Sequence, residues 1–237
     1  MLTLAFDSTA KIASVAVCDD ECVLAEYNIN NGLTQSELLL PMAESILRAL
    51  HITLDDIGLL ATSTGPGSFT GVRIGTALVK GLAFGKDIPC ASVSTLDALA
   101  ENLRGTRGIV VACMDARRSQ VYSATYRSDG SSLERLTPDR AIAIEDLADE
   151  IKEFREPIYL VGDGYNTTRE GLISRGLNIE VTPNALRLES AASVARVAFR
   201  KYTSDEVLTD LEIAPSYLRM PQAERERLER LNNKDKE

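Results

Sequence analysis

Three turns carry the residue types that can hold an anion. The run Gly65-Pro66-Gly67-Ser68-Phe69-Thr70-Gly71-Val72-Arg73-Ile74-Gly75 follows an apolar, strand-like stretch (Ile57 to Ser63) and opens into a helical one (Thr70 to Phe84). A glycine-rich turn at such a junction leaves backbone N–H groups free at a helix N-terminus, which suits a phosphate or a closely packed neighbour. Asp7-Ser8-Thr9-Ala10 ends the first strand, and Gly162-Asp163-Gly164 ends a later one. As phosphate hairpins, these two turns would offer Asp7, Ser8, Thr9, Gly162, Asp163 and Gly164 to a nucleotide, with Asp7 holding a water-bound Mg²⁺. Ser8 stands where such a hairpin needs glycine, and its side chain restricts the approach of a phosphate. Plain tight turns account for both segments equally well.

Other chemistries find less support. The stretch Gly81 to Asp87 falls one residue short of a P-loop and has Asp where a hydroxyl should hold Mg²⁺. The Gly65–Gly71 glycines follow G-x-G-x-x-x-G, which is not the dinucleotide spacing, and no acidic residue closes the next strand. Cys18 and Cys22 lack a second pair for a metal clip, so all four cysteines (with Cys90 and Cys113) read as structural. The single histidine, His51, rules out a two-histidine zinc site and gives Ser-His or Cys-His chemistry no partner. No metal site is expected. Asp19-Asp20 and Asp55-Asp56 lie in polar turns, where solvation explains them.

Bulk properties narrow the class. The chain has 237 residues, enough for one large domain or two lobes, and its 44% apolar content is ordinary for a globular protein. No run is apolar and long enough to span a bilayer, and Asp7 interrupts any signal-peptide pattern, so a cytoplasmic protein with no membrane partner is expected. A net charge of −9 makes a poor non-specific nucleic-acid binder, because neutralising phosphates needs clustered Lys and Arg.

The elements that must position these turns follow from periodicity. Leu2–Phe6, Ile12–Cys18 and Cys22–Asn28 read as a three-strand meander. Gln35 to Leu50 has helical spacing, with Leu39, Met42, Ile46 and Leu50 in one stripe and Leu40, Ala43 and Leu47 beside it. Pro41 sits in its first turn or kinks it. A strand near Pro89–Val93 and a helix from Ser94 complete a β-meander-then-α/β unit of the RNase H-like kind. The plan then restarts with strands at 109–114, 120–126 and 132–136, a helix around 144–154, a strand at 157–161 and a helix around 165–174. The expected organisation is a first lobe at 1–104, an abbreviated second lobe at 105–188, a helix and extended segment packing back at 189–221, and a charged tail at 222–237.

The helix after the glycine-rich run carries Gly71, Gly75 and Gly81, each costing roughly 0.5–1 kcal/mol relative to Ala. Glycines tolerated at that cost usually admit another backbone. That neighbour is either the lobe's own sheet or a second subunit, and the broad apolar surface of 35–50 favours a subunit. Interfaces are enriched in Met and Arg, which adds Met42 and Arg73.

Taken together, Leu2 to Val17 with its Asp7-Ser8-Thr9-Ala10 turn, Ser36-Glu37-Leu38-Leu39-Leu40-Pro41-Met42, the whole of Gly65–Gly75, Gly81-Leu82-Ala83, Val93-Ser94-Thr95-Leu96, Met114-Asp115-Ala116-Arg117-Arg118, Gly162-Asp163-Gly164 and Pro215 to Arg219 resemble the bacterial TsaB (YeaZ) family. The resemblance covers nearly the whole chain, and the glycine-rich string is its most specific part. It implies an α/β, two-lobed ASKHA (actin-like ATPase) fold and a part in making threonylcarbamoyladenosine in tRNAs that read codons beginning with A. It further implies a non-catalytic subunit that organises the transferase TsaD, helps recruit the ATPase TsaE, forms a homodimer when alone, and meets tRNA only indirectly. The contact implied lies on the two first-lobe helices, at Ser36, Glu37, Leu40, Met42, Gly71, Arg73, Ile74, Gly75, Ala77 and Leu78. No cofactor is implied for this chain itself, although ATP or ADP with Mg can enter at the complex interface. Many relatives have His before the Ser at 36; Gln35 here departs from that and argues further against metal chemistry. The alternatives are an ASKHA-type nucleotide-binding enzyme, a glycoprotease-like peptidase, or a homodimeric structural protein.

Overall fold

The computed structural model describes residues 1–32, 34–117 and 119–219. Strands β1 (Leu2–Asp7), β2 (Ala13–Asp19) and β3 (Cys22–Ile29) form the predicted meander. Strands β4 (Leu59–Gly65) and β5 (Cys90–Ser94) add parallel to β1, giving the order β3-β2-β1-β4-β5. The chain enters β4 from helix α1 (Gln35–Ala49) and leaves it into helix α2 (Phe69–Ala83).

Alternation along the strands decides what covers each face. Leu4, Phe6, Val15 and Val17 point to one side and pack with Leu39, Met42 and Ile46 of α1 and Val79 of α2. Ala5, Ala16 and Ala61 point to the other side, where helix α6 (Ala191–Thr203) lays Ala191, Ala192, Ala195 and Ala198 against them. Small residues on both surfaces let that helix lie close. The N-cap Ser190 accepts a hydrogen bond from the Ser193 amide.

A second sheet has the order β10-β6-β7-β8, built from β6 (Arg107–Asp115), β7 (Gln120–Asp129), β8 (Leu133–Arg135) and β10 (Ile158–Val161). A short strand the sequence did not suggest, β9 (Arg140–Ala143), pairs with the start of β7. Helices α4 (Ile144–Ile151) and α5 (Tyr165–Ile173) pack with Ile109, Val111 and Val121 on one face. Helix α3 (Thr95–Glu101) turns Leu96, Leu99 and Ala100 toward the opposite face, while its Ala98 joins the first sheet's cluster. It serves both lobes, and the expected boundary at residue 104 falls in the turn just after it. Pro41 lies in the seventh position of α1, past the first turn. The charged tail at 222–237 lies outside the described residues.

Candidate functional site

The first two residues of the first turn, Asp7 and Ser8, face inward. Asp7 is fully buried, and its carboxylate accepts hydrogen bonds from Ser63 Oγ (2.6 Å), Thr9 Oγ1 (2.7 Å) and the Thr9 amide (2.9 Å). Burial pushes this carboxyl above the usual range, and the three donors pull against that shift. Ser8 is equally buried, and its hydroxyl donates to the Gly71 carbonyl at 2.8 Å. A phosphate therefore finds neither side chain at this hairpin.

The same contact settles which backbone the helical glycines admit. A Cβ on Gly71 would overlap the Ser8 carbonyl oxygen, and one on Gly75 would lie 2.7 Å from both Ser8 Oγ and Thr62 Oγ1. These glycines seat α2 on its own lobe. Gly71 and Gly75 are accordingly removed from the expected subunit contact, and so is Met42, which is buried in the first-lobe core. A helical wheel shows that two glycines share a face but not what that face meets.

The rest of the expected contact set stays on the outside. Ser36, Glu37, Leu40, Arg73 and Ala77 are exposed, and Ile74 and Leu78 are half-buried. Glu37 accepts from the N-cap hydroxyl of Thr34 at 2.9 Å. Gln35 donates to the Ala10 carbonyl at 2.8 Å, tying the start of α1 to the β1–β2 turn. Arg73 lies over the Phe69 ring (3.8 Å) and donates from Nε to Tyr217 Oη (2.8 Å).

Between the lobes lies a cleft of about 580 Å³. The β1–β2 turn, the start of α2, the β6–β7 turn and the segment 216–219 all line it. Thr9 and Asp163 of the expected nucleotide residues reach it, together with Lys11, Asp115, Arg117 and Arg219. Asp7, Ser8, Gly162 and Gly164 do not line it. The Gly162 amide donates to the Arg187 carbonyl (2.6 Å), and the Gly164 amide to the Cys113 carbonyl (3.1 Å). The Gly162–Gly164 turn thus holds the second lobe together, and the residues present do not form a two-hairpin phosphate cradle. Sequence reasoning passed over Lys11, which sits in a turn with no motif spacing, and had Arg117 only as part of the run Met114 to Arg118. For Tyr217 and Arg219 the segment Pro215 to Arg219 was the available signal.

Nucleophile chemistry has no better footing. Burial pushes the thiols of Cys18 and Cys90 up to about 11 and that of Cys113 up to about 12, which leaves them protonated and inert. Among the described residues, no three His, Cys, Asp or Glu side chains come together as a metal-binding group. No described helix is long and apolar enough to cross a membrane.

Comparison with known proteins adds independent findings. The family model described as "TsaD: tRNA N6-adenosine threonylcarbamoyltransferase" matches residues 34–227. The tRNA threonylcarbamoyladenosine biosynthesis protein TsaB of Bacillus subtilis is 35% identical over 162 residues, covering 68% of this chain and 71% of the relative. Its Escherichia coli counterpart of the same description is 29% identical over 222 residues, covering 92% and 95%. The solved structure of YeaZ from Pseudomonas aeruginosa superposes with a TM-score of 0.79 at 26% identity, covering 92% of this chain and 99% of that one. The chain accordingly has the α/β fold of YeaZ, with its two sheets of five strands.

Proposed function

This chain belongs to the TsaB (YeaZ) family, and from that premise we propose that it is a non-catalytic subunit of the machinery that makes threonylcarbamoyladenosine in tRNA. It organises a TsaD transferase and helps recruit the ATPase TsaE. It works in the cytoplasm and touches tRNA only through its partners. The observation that carries this reading is that Asp7 and Ser8, which an ASKHA nucleotide enzyme would turn toward phosphate, are buried in bonds to their own lobe. What the first lobe presents outward instead is the α1–α2 surface with Leu40, Arg73 and Ala77. ATP or ADP with Mg, where it enters, lies between subunits and not on Asp7 and Ser8. Alone, the chain pairs with a second copy through the same surface.

Light scattering on a sizing column tests this with the chain alone and mixed with its cognate TsaD. A substitution at Gly75 would disrupt the lobe's own packing, so the variant to use is Ala77→Arg, on an exposed position of α2. The expected result is a homodimer that gives way to a 1:1 heterodimer, with both species lost in a variant that keeps the wild-type circular dichroism. A monomer indifferent to TsaD overturns the proposal and redirects attention to nucleotide hydrolysis.

A further inference from the structure

The last described residues of the chain touch both lobes. After α6 the chain returns along α2, where Lys80 donates to the Leu211 carbonyl at 3.1 Å. The Ser216 amide then donates to the Thr64 carbonyl at 2.7 Å. The Ser216 carbonyl lies so close to Gly65, itself at φ +123°, that a Cβ there would overlap it. One residue on, Tyr217 rests on the Phe69 ring with centroids 4.9 Å apart and accepts the hydrogen bond from Arg73. Two residues further, Arg219 reaches the second lobe. It donates to the Ala116 carbonyl (3.2 Å) and to the Gln120 side chain, with its guanidinium 5.6 Å from the Tyr122 ring.

From this arrangement we infer that the segment 211–219 is a strap coupling the exposed face of α2 to the second lobe across the cleft. Only one residue separates Tyr217 from Arg219, so the anchor on α2 and the anchor on the β6–β7 turn share one short stretch of backbone. Both side-chain anchors stay accessible, Tyr217 at 42% exposed and Arg219 half-buried, while the buried Ile213 and the Ser216–Thr64 hydrogen bond hold the strap on the first lobe. The two side-chain anchors therefore adjust together through the one residue between them. A group that docks on α2 and draws Arg73 away from Tyr217 loosens Arg219 and frees the second lobe. This last step alone rests on the reading of α2 as the partner face; the coupling itself belongs to the isolated chain.

Amide hydrogen exchange of the full chain tests the strap, because its two ends carry separate reporters. The Ser216 amide reports the first-lobe anchor, and the amides of Ala116 and Gln120, bonded to the Gln120 and Arg117 carbonyls, report the second-lobe turn. The variants are Arg73→Ala, the milder Tyr217→Phe, and Arg219→Gln, each checked for wild-type circular dichroism and melting. Arg73→Ala should speed exchange at Ala116 and Gln120 by about tenfold, and Arg219→Gln should speed Ser216 likewise, since coupling is reciprocal. Tyr217→Phe should move both ends in the same direction by less. Effects confined to the mutated end overturn the strap. In a TsaD complex, the wild-type chain should show the same faster exchange at Ala116 and Gln120. Slow exchange there in a formed complex overturns the docking step, whereas no complex at all defeats the partner reading and leaves the isolated-chain result standing.

Discussion

Gly71 and Gly81 occupy the same helix and predict opposite outcomes when replaced by alanine. At Gly71 the new methyl meets the backbone of Ser8, and neither the helix nor the β1–β2 turn can give way cheaply. Overpacking of this kind costs about 1–3 kcal/mol or more, which outweighs the ~1 kcal/mol of helix propensity gained. At Gly81 nothing lies within 4 Å, so alanine should stabilise by about 0.5–1 kcal/mol. Urea unfolding of both variants checks the signs; a neutral Gly71→Ala would mean that the turn is not held where the structure has it. Glu189 makes a second residue-scale case. It is 4% exposed and its Oε1 has no hydrogen-bond partner in the protein. Burial first, and the nearby charge of Asp7 second, push its carboxyl up to about 8 from an ordinary 4.5. A folded state that holds this proton more tightly than the unfolded chain is favoured at low pH, and that advantage is lost as pH rises from about 4.5 through 8. Glu189→Gln should therefore leave melting near pH 4 unchanged and raise it progressively toward pH 8, by about 5 °C or more, with a plateau above. Parallel melting curves across that range would show that Glu189 titrates normally.

At the scale of elements, the sequence was most legible where periodicity runs longest. Helices α1, α2 and α6 have 15, 15 and 13 residues and start within two residues of the expected positions. The meander was legible because short apolar runs are each bounded by polar turns. β9 escaped because four half-buried residues, Arg-Ala-Ile-Ala, carry no pattern; what makes them a strand is the length of β7, which pairs with β9 through 120–123 and with β8 through 126–128. The double allegiance of α3 was hidden for a related reason. Six of its seven residues are buried, Asp97 being the exception, so one partly exposed residue gives little direction, and only the meeting of two sheets tells which side chain serves which. The glycine pair of α2 was read correctly as a close approach and assigned to the wrong neighbour. Spacing fixes a face within an element, while the partner of that face is a property of the whole fold.

At the scale of the molecule, the net charge of −9 understates how little positive surface is free. Arg104 and Arg200 are committed to Glu21 and to the buried Glu101, which ties the β2–β3 turn, α3 and α6 together. Arg135 is held by Asp97 and Asp139, Arg140 by Glu150, Arg127 by Glu134 and Glu156, and Arg73 by Phe69 and Tyr217. Binding tRNA requires several cations to displace the counterions of neighbouring phosphates at once, and affinity falls steeply with salt in proportion to their number. Cations already paired to carboxylates bring those negative charges with them, so the electrostatic gain cancels locally. The isolated chain should thus bind tRNA more weakly than about 10⁻⁴ M at physiological salt, the weak end of non-specific binding. Fluorescence anisotropy with labelled tRNA measures this for the chain alone and for its complex with TsaD. Binding that appears only in the complex, and that survives neutralising Lys11 and Arg117 in the cleft, places recognition on the partner. Micromolar binding by the chain alone, lost when those two residues are neutralised, would make the interlobe cleft a nucleic-acid site and reverse the assignment of roles.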